Sequence, residues 1–437
     1  KSALFDSAND EDLSRGSMGS TATTWTASFW VYRTKDQGTD AKFMFTTSSD
    51  GGLSFADNTT ANLLAWYDGD YNSKTARLFR DFNAWYHMVV KSVAGVGTAY
   101  VNGQPVLDGL SIPAVDATMA IGSYNNASSY LDCYMAEWVF IDGTAHQPTT
   151  FAEYDPTGTF WVPKSPTVIK ALTFGSNGFY LDNATNAQTD AGSEGNNFTN
   201  NNTVVTVANH TPTSLQPVFN PLFRNAGTFV DGNRKLTYTG GSFDNQPLTL
   251  SIPSSGKWYH EFVCITNTNN SEFGICDIDN VQLGVEGNAA NTSSDCYVYE
   301  DDGNKVNAGS SESYGNAASY TDGDVIGIAY DADNNAIWFS KNDSWIDGNG
   351  TDNSATVKAE IEAGTTSSSA YTSISTKPKF FVASVASTGV ATTRFESDYT
   401  GGIPTGFSAL NTTNIASAIT RTKSDLSEYF ESIVYEG

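Results

Sequence analysis

The chain has 437 residues, 39% of them hydrophobic and 13% aromatic, and a net charge of −25 from 48 acidic and 23 basic side chains. That length exceeds one comfortable hydrophobic core, so two domains are expected. So acidic a chain repels nucleic acid and anionic membranes, which need a basic footprint, and no apolar run of about 18 residues offers a membrane-inserting helix. Gly, Asn, Thr, Ser and Asp between short apolar runs predict an all-β fold of two β-sandwich, jelly-roll-like domains.

Residues 1–150 read as strands at short intervals: 24–32, 42–46, 63–67, 85–90, 98–106 and 135–141, with Asn102-Gly103 as a hairpin turn. Residues 151–232 gather Pro156, Pro163, Pro166, Pro212, Pro217 and Pro221 and an Asn-rich tract at 196–202. Prolines prevent regular sheet interior, yet Phe160, Trp161, Phe174 and Phe179 are too apolar for a free tether. An ordered connector wrapped over the domains is expected. Residues 233–410 form a second β unit, with strands at 257–263, 272–275, 325–331, 336–342, 379–385 and 393–395. Residues 411–437 read as a C-terminal extension leading to a further module; 424–435 alternates weakly, as a helical turn or a strand. The start at Lys1 and the strand-like end suit a piece of a longer protein.

Cys133, Cys264, Cys276 and Cys296 show no CxxC pair and no paired His spacing, so zinc is not expected. One cysteine in the first domain and three in the second cannot all pair within domains. The reading is free thiols, used as small apolar residues in a chain assembled in a reducing cytoplasm. Secretion with a disulfide framework is the alternative. Nucleophile elbows, phosphate loops and His-Glu-x-x-His motifs are absent. His87 and His260 each follow Trp-Tyr at a strand start, which suits packing or a strand-edge hydrogen bond; His146 and His210 are isolated.

Trp25-Thr26-Ala27-Ser28-Phe29-Trp30-Val31, Trp85-Tyr86-His87, Tyr100-Val101-Asn102-Gly103 and Met135-Ala136-Glu137-Trp138 resemble the concanavalin A-like, laminin-G-like jelly roll. Gly256-Lys257-Trp258-Tyr259-His260-Glu261-Phe262, Gly323-Asp324-Val325-Ile326-Gly327 and Ile337-Trp338-Phe339-Ser340-Lys341-Asn342 resemble a SPRY domain. Phe160-Trp161-Val162-Pro163-Lys164, Gly175 to Asp182, Thr211-Pro212-Thr213, Asn220-Pro221 and Tyr429 to Gly437 are similar to segments of structural proteins of tailed, notably marine, bacteriophages. The resemblance implies a virion appendage (tail fibre, spike or capsid-attached fibre) with the two sandwiches in this order. It would pack with other virion proteins and with identical copies, as a homotrimer, and recognise a host-surface glycan or protein. A purely architectural virion role and a secreted bacterial adhesin or glycoside hydrolase are the alternatives.

Hydrolases of the concanavalin type set Glu-x-Asp-x-x-Glu on one strand; the nearest run, Glu396-Ser397-Asp398-Tyr399-Thr400-Gly401, lacks the last Glu and lies outside the first domain. A non-enzymatic role is expected, since sites and not folds decide function. Loops rich in aromatics and amides suit sugars: Tyr67, Tyr71, Tyr124, Asn125, Asn126 and Tyr130 in the first unit, and Tyr299 and Trp345 with Tyr297, Tyr314 and Tyr320 in the second. No cofactor is expected. Calcium, which laminin-G-like domains bind, has weak candidate ligands in Asp68 and Asp70 and in the run 331–335, although a turn explains both.

Overall fold

A computed structural model of the chain describes residues 1–418 apart from 17, 19–21, 49–50, 83, 116–117, 224–226, 239–243, 269–270, 278–294, 309, 316 and 351–352. Strand accounts for 45% and helix for 8%, in two β-sandwiches, as expected from the sequence. The segments 424–435 and 429–437 lie outside the described residues.

In the first sandwich one sheet runs in the order Gln104–Ser111, Val96–Val101, Trp85–Val93, Trp25–Arg33, Cys133–Asp142, Ser2–Phe5, Val205–Val207, and Phe179–Leu181 also pairs with Cys133–Asp142. The facing sheet runs Thr199–Asn201, Asp12–Arg15, Met119–Ile121, Lys42–Ser48, Gly51–Phe55, Leu63–Tyr67, Ser73–Leu78. Trp25–Arg33 is buried at every position. Trp25, Ala27, Phe29 and Val31 enter the core between the sheets, while Trp30 and Tyr32 point the other way, into a second apolar cluster. Alternation sends successive side chains to opposite faces, and here both faces are covered. The outer cover comes from the segment 151–218, which supplies Phe151, Ile169, Phe174 and Tyr180 to one cluster and Trp161 and Val218 to another. In Cys133–Asp142 the register slips between Ala136 and Val139, and Glu137 takes φ 52°. The extra residue lets Met135 and Trp138 both face inward.

The second sandwich pairs Thr228–Val230, Lys235–Thr237, Val390–Thr393, Lys257–Thr266, Val325–Asp331, Ala336–Lys341 and Ser344–Trp345 in one sheet. The other holds Asp244–Ile252, Lys379–Val385, Ser271–Asp277, Cys296–Glu300, Asn304–Asn307 and Ser310–Ser313. Among the described residues its longest helix, Ser354–Ala363, is capped by the Asn353 carboxamide and ends at Gly364 with φ 75°. Val357 and Ile361 of this helix pack with Trp338 and Trp345.

The two sandwiches share an aromatic junction. The ring of His210 lies 4.8 Å from Tyr32 and 4.5 Å from Tyr134 of the first and stacks at 5.5 Å on Phe395 of the second. Tyr134 donates its hydroxyl to the Gly232 carbonyl at 2.9 Å; a Cβ at position 232 would sit 2.0 Å from that hydroxyl. Arg234 lies over Phe395 and pairs with Asp231 and Asp398.

The expectation of four free thiols is corrected. Cys276 and Cys296 form a disulfide, because they face each other in register on adjacent antiparallel strands. Cys133 and Cys264 are free and buried.

Candidate functional site

The outer face of the seven-stranded sheet carries aromatic rings that the sequence scatters. On Leu63–Tyr67, Leu64 and Trp66 enter the core, so alternation turns Tyr67 outward. Gly52, its cross-strand partner, has no side chain, and the Phe43 ring occupies that space: a Cβ at position 52 would approach it to 2.8 Å. On this floor the Tyr67 ring lies 4.9 Å from Tyr71 and 5.8 Å from Tyr124, and Phe43 lies 5.0 Å from Tyr124. Tyr67, Tyr71 and Tyr124 are each half-buried, so ring surface remains open to solvent. Burial and the neighbouring Tyr67 push the Tyr71 hydroxyl up to about 12, so it stays a neutral donor.

Beside the rings lies a polar rim. The loop after Met119–Ile121 holds Asn125, Asn126 and Ser129 at φ between 50° and 57°, a left-handed conformation that Asn tolerates better than most residues. Asn125 donates its backbone N–H to Thr46 Oγ1 at 3.2 Å, and Asn126 donates its own to Ser123 Oγ at 3.2 Å. Ser123 in turn donates to the buried carboxylate of Asp12. Asn201 donates from Nδ2 to Asp12 Oδ1 at 2.7 Å and to Ser14 Oγ at 2.9 Å, with the Asn126 carboxamide alongside. Burial raises the pKa of Asp12, and the bonds from Ser123 and Asn201 oppose the rise. Tyr130 is half-buried, and burial together with Asp12 and Asp10 raises its hydroxyl pKa. Half-exposed ring faces beside amides can stack an apolar sugar face and bind its hydroxyls, while the buried Asp12 holds the rim in place from beneath.

The structure brings Tyr67, Tyr71 and Tyr124 together, with Asn125 and Asn126 on the same loop as Tyr124. It corrects the second set. Tyr299 and Trp345 are 0% and 2% exposed: Tyr299 packs on Tyr314, Tyr320 and Phe339 in the core, and Trp345 lies under the helix. Tyr297, Tyr314 and Tyr320 are buried as well. Asp70 closes a turn by accepting from the Asn72 backbone and carboxamide, and the Asp68 N–H donates to the Asp70 carbonyl. Among the described residues no three His, Cys, Asp or Glu side chains gather to hold a metal ion. Asp331 likewise caps its own turn through Asp333 and Asn334 and pairs with Lys257. Glu396 accepts from Asn411, and Asp398 pairs with Arg234.

His87 and His260 occupy equivalent buried positions. The Trp161 indole donates to His87 Nδ1 at 3.0 Å, so Nε2–H faces Ser28 Oγ at 2.9 Å. His260 bridges Thr393 Oγ1 and the Tyr399 hydroxyl. Burial lowers both to about 3. Sequence reasoning missed Phe43, Gly52, Asp12 and Asn201; Phe43 and Gly52 lie in strand runs, and Asn201 sits in an Asn tract that hides it.

Residues 6–148 match the concanavalin A-like lectin/glucanases superfamily, and residues 257–357 match the SPRY domain. No curated protein matches the chain. Among solved structures, the SPRY domain of human HERC1 is similar at 16% identity over 41% of this chain and 99% of that domain, with a TM-score of 0.31. A candidate carbohydrate binding protein from Bacteroides ovatus is 16% identical over 46% of this chain and 57% of that one, TM-score 0.35. Domain 4 of AbnA, an extracellular GH43 arabinanase from Geobacillus stearothermophilus solved with arabinotriose, is 20% identical over 30% of this chain and 65% of that one, TM-score 0.23. In chain order, then, a β-sandwich segment that matches the concanavalin A-like lectin/glucanases superfamily precedes one that matches the SPRY domain.

Proposed function

We propose that the chain is a non-enzymatic recognition module of a tailed-phage virion fibre, and that its first sandwich reads a host-surface glycan. The convergence of Tyr67, Tyr71 and Tyr124 over Phe43, beside Asn125, Asn126 and Asp12, carries the reading. Such a surface offers stacking area and hydrogen-bond partners held in place before a ligand arrives, the usual economy of a small-molecule site. The virion assignment rests on the likeness of Phe160 to Lys164 and the neighbouring connector segments to phage structural proteins. In a fibre, identical copies in a homotrimer multiply weak contacts by avidity.

The test is binding of the purified 437-residue chain to intact bacterial cells, competed by polysaccharide extracted from their surface. Binding should be competed and should fall in Tyr71→Ala and Tyr124→Ala with the far-ultraviolet spectrum unchanged. Binding that survives both substitutions would refute the site. One observation favours an architectural second role: on the short hairpin of Ala152–Tyr154 and Trp161–Pro163, Tyr154 is 55% exposed and neighbouring Phe160 47%. That is the kind of surface another virion protein would cover.

A further inference from the structure

We infer that the site on the seven-stranded sheet takes neutral glycans and rejects uronic-acid and sulfated ones; the inference rests on the glycan-binding reading above and goes further by naming the ligand class. Among the described residues, carboxylates crowd the surroundings of the rings. Asp12 lies under the amide rim, Asp10 stands near Tyr130, and Asp68 and Asp70 lie on the loop that presents Tyr71. The cations bordering this end are matched: Lys74 pairs with Asp57, and Lys35 pairs with Asp132. Lys42 precedes Phe43 on its strand, so alternation sends it to the opposite face. The electrostatic neighbours that act on Tyr130 are Asp12 and Asp10, and the one that acts on Asp68 is Asp70.

An anionic sugar would need a guanidinium, an ammonium or a cluster of free N–H groups aimed at its carboxylate or sulfate. The rim instead presents neutral carboxamides over a buried carboxylate. Asp12, when ionised, only accepts, and Ser123 and Asn201 have already turned their protons toward it. A neutral pyranose supplies hydroxyl donors to such a rim and an apolar C–H face to the tyrosines. Changing one hydroxymethyl of that sugar to a carboxylate brings a like charge toward these carboxylates, which repel it.

The test uses the full-length chain and an array of neutral polysaccharides (β-glucan, arabinan, galactan, mannan), each beside its carboxylated form on the same backbone. Titration calorimetry then measures the best neutral ligand and its carboxylated counterpart. The expected result is binding to at least one neutral glycan, lost in Tyr71→Ala, and at least about tenfold weaker binding of the carboxylated form, which corresponds to about 1.4 kcal/mol. The gap should narrow as salt rises from 0.05 to 0.5 M, since screening weakens repulsion at a partly exposed site. Equal or tighter binding of the carboxylated glycan, still lost in Tyr71→Ala, overturns the inference and leaves the glycan reading standing. Failure of every glycan, or binding that Tyr71→Ala does not affect, overturns that reading and this inference with it.

Discussion

Asn201 donates from Nδ2 to Oδ1 of Asp12 across 2.7 Å, and 189 residues of sequence separate the two. The bond ties the segment after the first family match to the second strand of the chain. Asp12 is fully buried, which raises its pKa, and this donor and Ser123 favour its ionised form against that rise. Replacing Asn201 by Ala should therefore cost about 1–3 kcal/mol, the range for leaving a buried acceptor short of a partner. The loss should be larger at pH 8 than at pH 5, because the variant strands the ionised form. Urea unfolding at the two pH values measures it, and equal stability of variant and parent would show that Asn201 does not support Asp12.

Gly52→Ala tests the aromatic floor. The added methyl would meet the Phe43 ring and Thr46 Cγ2, both at 2.8 Å. Phe43 must shift, so stability should fall by roughly 1–3 kcal/mol and glycan affinity should fall with it. Thermal unfolding and calorimetry read the two effects separately, and an unchanged affinity would remove Phe43 from the site.

Acid should weaken the fold well above the range in which ordinary carboxylates titrate. Burial holds His87, His210 and His260 down to about 3, whereas an unfolded histidine titrates near 6.5. Below pH 6.5 the unfolded state therefore binds more protons, and stability declines as pH falls toward 3 by up to about 1.4 kcal/mol per pH unit for each histidine. Glu11 works the other way: burial raises it to about 7, so the folded state holds its proton longer and stability falls as pH rises from about 4.5 to 7. Between pH 6.5 and 5 the three fully buried histidines are expected to outweigh Glu11 and the other carboxyls that burial raises, so chemical unfolding there should show stability falling with acid. Glu11→Gln should steepen that fall, and a flat profile would count against the neutral buried histidines.

Thiol titration in denaturant without reductant should find two reactive groups, Cys133 and Cys264, and four after reduction. Four without reduction would show that Cys276 and Cys296 are not joined.

The strands that announce themselves in the sequence are those whose β-rich runs end at a polar turn. Trp85–Val93 and Val325–Asp331 are such strands, and the structure pairs each with its expected hairpin partner. Tyr299 and Trp345 misled because an aromatic near a turn reads the same whether it faces solvent or core; Phe339 and the helix Ser354–Ala363, which settle the matter, are distant in sequence. Phe43 and Gly52 were illegible for a related reason. Their meaning lies in a cross-strand contact, and periodicity along one strand does not report what lies across from it. The Cys276–Cys296 pair depends on register in the same way.

The stretch 199–207 works as a hem. One of its short strands, Thr199–Asn201, closes the seven-stranded sheet, and the other, Val205–Val207, closes the eight-stranded sheet a few residues later. Stripped of it, Asp12–Arg15 and Ser2–Phe5 would each present a row of bare amides and carbonyls, ready to template against another chain. As edge strands of three residues each, Thr199–Asn201 and Val205–Val207 leave a short row of open backbone groups in place of a longer one, and the same stretch carries Asn201 to the rim of the site.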